Sequence, residues 1–167
     1  VCVGKNFRFG HRHAGNVDKL DEWQESYEVI AVPAVEASGG FVSSSRIRTA
    51  LSAGDLKSAR KMLGRCYEIE GNIVSGTGRG KNETVPTINI DSLNDSLLRD
   101  GVYVTRIKLD GQSSFKAVTN IGTCPTFSGK KRTIETHILD TSIAFNAKVA
   151  RLRFLNRLRD EKEFPDA

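Results

Sequence analysis

Cysteine is scarce in this chain, and its few copies do not form a pattern. Cys2, Cys66 and Cys124 are three in 167 residues. They are too scattered for a disulfide framework or a zinc spacing, which points to a reducing, cytoplasmic compartment. No apolar run reaches the roughly 18 residues that a membrane span needs, and no signal peptide is visible, so no membrane partner is expected. Internal repeats and low-complexity tracts are absent. A Walker A loop is absent too. The one glycine-rich basic stretch, Gly76-Thr77-Gly78-Arg79-Gly80-Lys81, has no Ser or Thr after its lysine and the wrong glycine spacing.

The chain does have enough to fold. It is 38% hydrophobic and 27% charged, which suits a buried core and excludes a disordered segment. Its length fits one domain, or one domain with part of another. The net charge of +5 favours anionic partners, nucleotide or nucleic acid alike. Val1 opens inside Val-Cys-Val, which reads as the interior of a strand and leads us to expect a preceding portion.

Two regions differ in character. Residues 1–65 alternate strand and helix. Val1 to Val3 and Glu28 to Pro33 read as strands, and Asn16 to Tyr27 as a helix with Val17, Leu20 and Trp23 about one turn apart. Ser43-Ser44-Ser45 offers hydroxyl caps to a helix running through Leu51. Gly54-Asp55 breaks it, and a second helix carries Leu56, Ala59, Met62 and Leu63 to Gly64. From Cys66 on, short apolar stretches punctuated by glycine predict many strands in a closed barrel or a sandwich. Leu155 to Glu163 is expected to form a terminal helix.

Three motifs carry chemistry. The Gly76–Lys81 stretch is either an ordinary hairpin turn or a flap whose amides and cations wrap phosphates. In Pro86-Thr87-Ile88-Asn89 the proline stiffens the approach. Thr87 and Asn89, two apart in an extended segment, then share a face. A hydroxyl and an amide oxygen there suit a magnesium ion also held by phosphates; the plain alternative is the wet face of a strand. In Thr133-Ile134-Glu135-Thr136-His137-Ile138-Leu139, one face holds Ile134, Thr136 and Ile138. The other holds Glu135, His137 and Leu139. If that face lines a barrel mouth, Glu135 is placed as a base; otherwise it is a surface carboxylate.

Taken together, the motifs resemble a known family. Residues 66–164 resemble the riboflavin kinase module of bacterial bifunctional riboflavin kinase/FMN adenylyltransferases (FAD synthetases). The resemblance rests on Gly-Arg-Gly-Lys at 78–81, Pro-Thr-Ile-Asn at 86–89, Gly101-Val102-Tyr103, Asn120 to Phe127, Glu135 to Asp140, and Leu158-Arg159-Asp160-Glu161. Residues 1–65 resemble the end of the nucleotidyltransferase domain of the same family through Gly4 to Gly10 and Ser43 to Arg48.

The resemblance implies a Rossmann-like fragment over 1–65, then a six-stranded antiparallel Greek-key barrel over 66–167. It implies that riboflavin is phosphorylated to FMN with ATP and Mg2+. The nucleotide would lie under Gly76, Gly78, Arg79, Gly80 and Lys81, with Thr87 and Asn89 at the metal and Glu135 as base. Ser44, Ser45, Arg46 and Arg48 would be the phosphate site of the adenylyl-transferring domain, and Phe7-Arg8-Phe9 would lie near its flavin; helix capping and aromatic anchoring are the plain alternatives. That domain's His-x-Gly-His signature is absent, and His11-Arg12-His13 does not replace it, so FAD formation is not expected of these residues alone. Thr84-Val85 stands where the family commonly has Gly-Phe, and Cys124 where it has Arg. Two other readings stand beside this one: a catalytically inert chain, and a nucleic-acid-binding barrel built on Lys148, Arg151, Arg153, Arg157 and Arg159. The latter is disfavoured by the interspersed Asp160, Glu161 and Glu163 and by the lack of an aromatic run for base stacking.

Overall fold

The computed structural model describes residues 1–23, 26–74, 87–92, 97–110, 113–126, 129–139 and 147–161, and for 124–126 and 129–131 the backbone alone. The chain divides into two compact units, Val1–Ser43 and Ser44–Ala167.

In the first unit, β1 (Cys2–Gly4) pairs in parallel with β2 (Ile30–Val32), in the register Val3 to Ala31. The crossover between them carries α1 (Val17–Glu22), which Asn16 caps by accepting from the Lys19 N–H at 3.1 Å. This helix is shorter than the expected 16–27. The chain leaves it at Trp23, and the Tyr27 hydroxyl turns back to donate to the Leu20 carbonyl at 3.4 Å. Phe9 stacks on Phe7 at 5.8 Å and meets Trp23 edge-on at 6.1 Å.

The second unit opens with α2 (Ser44–Ala53) and α3 (Leu56–Leu63). Gly54 lies between them at φ 78°, and Gly64 ends α3 in the left-handed region at φ 70°. Ala50, Leu51, Leu56, Ala59 and Met62 are buried. The Leu51 carbonyl accepts from the Arg99 N–H at 3.2 Å. The helix pair thus lies in the same compact unit as the strands that follow, while its local pattern reads with residues 1–65.

Asp55 caps α3. Its carboxylate accepts from the Ser58 N–H at 2.9 Å. That bond, then one from the Ser58 side chain, hold the Asp55 carboxyl below its usual range. A lowered carboxyl pKa contributes stability above the unfolded-state value, and that contribution is lost as pH falls through the folded value. Asp55→Ala is expected to cost about 0.5–2 kcal/mol near pH 7. The gap from the parent should close below about pH 4; urea melts at pH 7 and in acid check both statements.

Six strands then close into a barrel in the order β3 (Glu68–Val74), β4 (Thr87–Ser92), β7 (Gly129–Ile138), β6 (Ser114–Thr126), β5 (Gly101–Leu109), β8 (Val149–Arg159). Every neighbouring pair is antiparallel. Alternation sets the faces: along β5, Tyr103, Thr105, Ile107 and Leu109 are buried, while Arg106 and Lys108 are exposed. The interior is filled by Tyr103, Ile107, Leu109, Ile121, Ile138, Leu152 and Phe154, each no more than 1% exposed. Three buried threonines satisfy one another there. The Thr105 and Thr119 hydroxyls are 2.8 Å apart, and those of Thr119 and Thr136 are 3.0 Å apart, as burial requires.

The expected terminal helix at 155–163 is not formed over its described part. Residues 155–159 continue β8, with Tyr103 opposite Arg157 and Val102 opposite Arg159. Leu155 and Leu158 mimic a helical spacing, yet both are exposed. The unpaired edge of β5 needs a partner along its full length, and two register shifts let β8 supply it.

Candidate functional site

Gly76, Gly78, Arg79, Gly80, Lys81 and Pro86 lie outside the described residues. The other members of the expected phosphoryl site lie on two adjacent strands. β4 and β7 pair with Thr87 opposite His137 and Asn89 opposite Glu135. Directly opposed residues of an antiparallel pair point to the same face. The intervening Ile88, Ile134, Thr136 and Ile138 are buried in the core, so Thr87, Asn89, Glu135 and His137 all stand on the outer wall. This face looks away from the packed interior, which in a barrel this small has room only for its own side chains. Thr87 and Glu135 are exposed, and Asn89 and His137 half-buried. Two polar oxygens and a carboxylate thus share one patch about a single strand spacing wide, roughly 5 Å.

The patch continues onto β6, where Asn120 is opposite Glu135 and Gly122 is opposite Thr133. The Asn120 side-chain amide donates to Glu161 Oε1 at 3.0 Å. Glu161 lies so close over the wall that a Cβ on Gly122 would come within 2.2 Å of its carboxylate. Asn120 Oδ1 is buried without a hydrogen-bond partner among the described residues, an arrangement that costs about 1–3 kcal/mol. Asn120 and Glu161 stand in the stretches that carry the family resemblance, but the sequence reading gave neither a role. Their contact spans 41 positions, and no local pattern announces it.

Beside this patch the cations are engaged. Arg132 binds the Asp100 carboxylate at 2.7 Å and also donates to the Leu98 carbonyl. Arg157 and Arg99 both pair with Asp160, at 2.5 and 3.1 Å. The hydrogen bond from Arg157, then the charge of Arg99, hold the Asp160 carboxyl below its usual range. Burial pushes the Tyr103 phenol up, against the opposing pull of Arg157.

The basic cluster behind the nucleic-acid reading is largely neutralised. Arg151 pairs with Glu70 at 2.5 Å and Arg153 with Glu68 at 2.6 Å. Together with the Arg157–Asp160 pair, this leaves a mixed-charge surface and not a cationic stripe. Among the described residues no group of three or more His, Cys, Asp or Glu could hold a metal, so a cation at Thr87 and Asn89 would need ligands from its substrate. Ser44 and Ser45 begin α2, with Arg46 half-buried and Arg48 exposed on its first turns. The Ser45 carbonyl accepts from the Thr49 hydroxyl at 3.0 Å.

The family model described as "Flavokinase: Riboflavin kinase" matches residues 63–167. A bifunctional riboflavin kinase/FMN adenylyltransferase of Buchnera aphidicola is 31% identical over 99% of this chain and 54% of its own length. One from Pseudomonas fluorescens is 33% identical over 97% of this chain and 53% of its own. The chain spans about half the length of the curated relatives it matches. A crystal structure described as a macrolide-efflux protein from Streptococcus pneumoniae superposes with a TM-score of 0.82 at 32% identity, over 98% of this chain and 53% of that one. No helix among the described residues is long and apolar enough to cross a membrane.

Proposed function

The chain belongs to the riboflavin kinase family, and from that premise we propose that its outer-wall patch transfers the γ-phosphoryl group of ATP to the terminal ribityl hydroxyl of riboflavin, giving FMN and ADP. The observation that carries this reading is the register that sets Asn89 directly opposite Glu135. Glu135 takes the proton as the hydroxyl oxygen forms its bond to the γ-phosphorus. The bond from that phosphorus to the bridging oxygen breaks, and ADP leaves with the electron pair. Thr87 and Asn89 present hydroxyl and amide oxygens that would hold magnesium. These hard donors fit the ion, which neutralises phosphate charge when bound. Gly76, Gly78, Arg79, Gly80 and Lys81 would cover the phosphates. Exposure of Glu135 keeps it reachable by substrate, and its opposition to Asn89 orients the acceptor hydroxyl beside the phosphoryl group; positioning of this kind is the larger source of rate.

Residues 1–65 would be the Rossmann-like end of an adenylyl-transferring domain, which the parallel pair β1–β2 with its crossover helix supports. Ser44, Ser45, Arg46 and Arg48 would meet ATP phosphates at the start of α2. In a longer protein this region would take part in converting FMN to FAD, in the cytoplasm.

Incubation of the chain with riboflavin and MgATP should yield FMN and ADP in equal amounts. If it neither turns over nor binds riboflavin or ADP, the reading fails. Thr87→Ala is expected to weaken ADP binding about tenfold in the presence of magnesium, the loss of one good ligand contact. Metal-free ADP binding should be unchanged; calorimetry with and without magnesium reads the difference, and an unchanged MgADP affinity would remove Thr87 from the metal site.

A further inference from the structure

The carboxylate that caps the β6 side of the patch has no place in the phosphoryl-transfer step, yet the fold makes room for it. The Glu161 carboxylate lies directly over Gly122, where a Cβ would meet both of its oxygens within 2.6 Å. Asn120 then fixes the carboxylate by donating to Oε1 at 3.0 Å. Asn120 is the cross-strand neighbour of Glu135, so the Glu161 charge stands one to two strand spacings from the proposed base, roughly 5–10 Å. Glu161 makes no ion pair among the described residues. The adjacent cations Arg157, Arg99 and Arg132 are held by Asp160 and Asp100. A carboxylate held by Asn120 and without an ion pair among the described residues accepts hydrogen bonds from hydroxyls and repels phosphate.

We infer that Glu161 is a specificity-determining residue of the patch: latched by Asn120 over Gly122, it favours a neutral polyol chain and disfavours the same chain once phosphorylated. The inference rests on the riboflavin kinase reading and adds to it a discrimination between alcohol substrate and phosphate-monoester product. A phosphate formed beside Glu135 would stand about as far from Glu161 as Glu135 does, and two negative charges roughly 5–10 Å apart in a partly solvated site repel enough to lower product affinity about three- to tenfold. The consequence is easier release of FMN after transfer.

The test is the ratio of FMN to riboflavin dissociation constants, measured by flavin fluorescence on the full chain and on Glu161→Gln, which keeps an acceptor for Asn120 and removes the charge. FMN should bind about three- to tenfold more tightly to the variant, with riboflavin affinity within about twofold of the parent. The difference should shrink at high salt. Glu161→Ala should shift the ratio in the same direction, which keeps the test valid if either variant folds poorly. A parent that binds both flavins while neither variant changes the ratio overturns the role of Glu161 and leaves the kinase reading intact; so does a variant that tightens or weakens both flavins equally. A folded parent that binds neither flavin overturns both.

Discussion

Glu135→Gln is expected to lower kcat for riboflavin phosphorylation by about 10²–10⁴-fold, the usual loss when a positioned general base is removed. The amide matches the carboxylate in size and still accepts a hydrogen bond, but it cannot take the proton released as the hydroxyl attacks. Phosphoryl transfer has a loose transition state in which little of that proton has moved when the old bond breaks. The loss therefore belongs at the lower end of the range, where a hundredfold is about 2.7 kcal/mol of barrier. Riboflavin affinity should change little, so kcat and kcat/KM fall together. Because Glu135 is exposed on the outer wall and the core residues around it point the other way, the melting temperature should be unaffected. Single-turnover assays beside thermal melts check both statements. A loss below about fivefold would mean that the wall positions its substrate without a base at 135.

The face of Glu135 was legible in the sequence, because Ile134, Thr136 and Ile138 alternate with it and strand geometry leaves no choice. The same logic put Thr87 and Asn89 together on another face. What alternation cannot supply is which strands are neighbours. The juxtaposition of Asn89 with Glu135 is a property of barrel closure, in which β4 passes over two strands in sequence to pair with β7. Nor does a period of two say which face is inward until the core is counted. A site on the outer wall was therefore hidden, although the apolar set that excluded it from the interior was in plain view. The tail shows the opposite failure. The alternation of Ala150, Leu152 and Phe154 reads as a strand, but it stops at Leu155, and the demand of β5 for a partner carries the strand on to Arg159. Asn120 and Glu161 each read as ordinary polar residues until the fold closed the gap between them.

Phe154→Ala should be the most damaging core substitution of the barrel seam. The ring is 1% exposed, lies edge-on to Tyr103 with centroids 5.4 Å apart and contacts Tyr67 at 6.3 Å. It sits on β8 opposite Thr105, at the strand that closes the barrel between β3 and β5. Removing a buried phenyl ring takes away its transfer free energy and leaves a cavity that a closed barrel cannot collapse to fill, for a cost of about 3–5 kcal/mol. Against a usual total stability of about 5–15 kcal/mol, that is about a fifth or more of what holds the domain together. The melting temperature should fall by about 6–20 °C. The effect on chemistry should be of another kind. β8 does not pair with β4 or β7, so molecules that remain folded keep the register between Asn89 and Glu135. Activity per folded molecule, measured well below the new midpoint, should stay within about twofold of the parent, since distant sites act nearly independently. Phe154→Leu, which leaves a smaller hole, should recover most of the stability. A melting shift under about 2 °C for the alanine variant would contradict the packing of this ring against Tyr103.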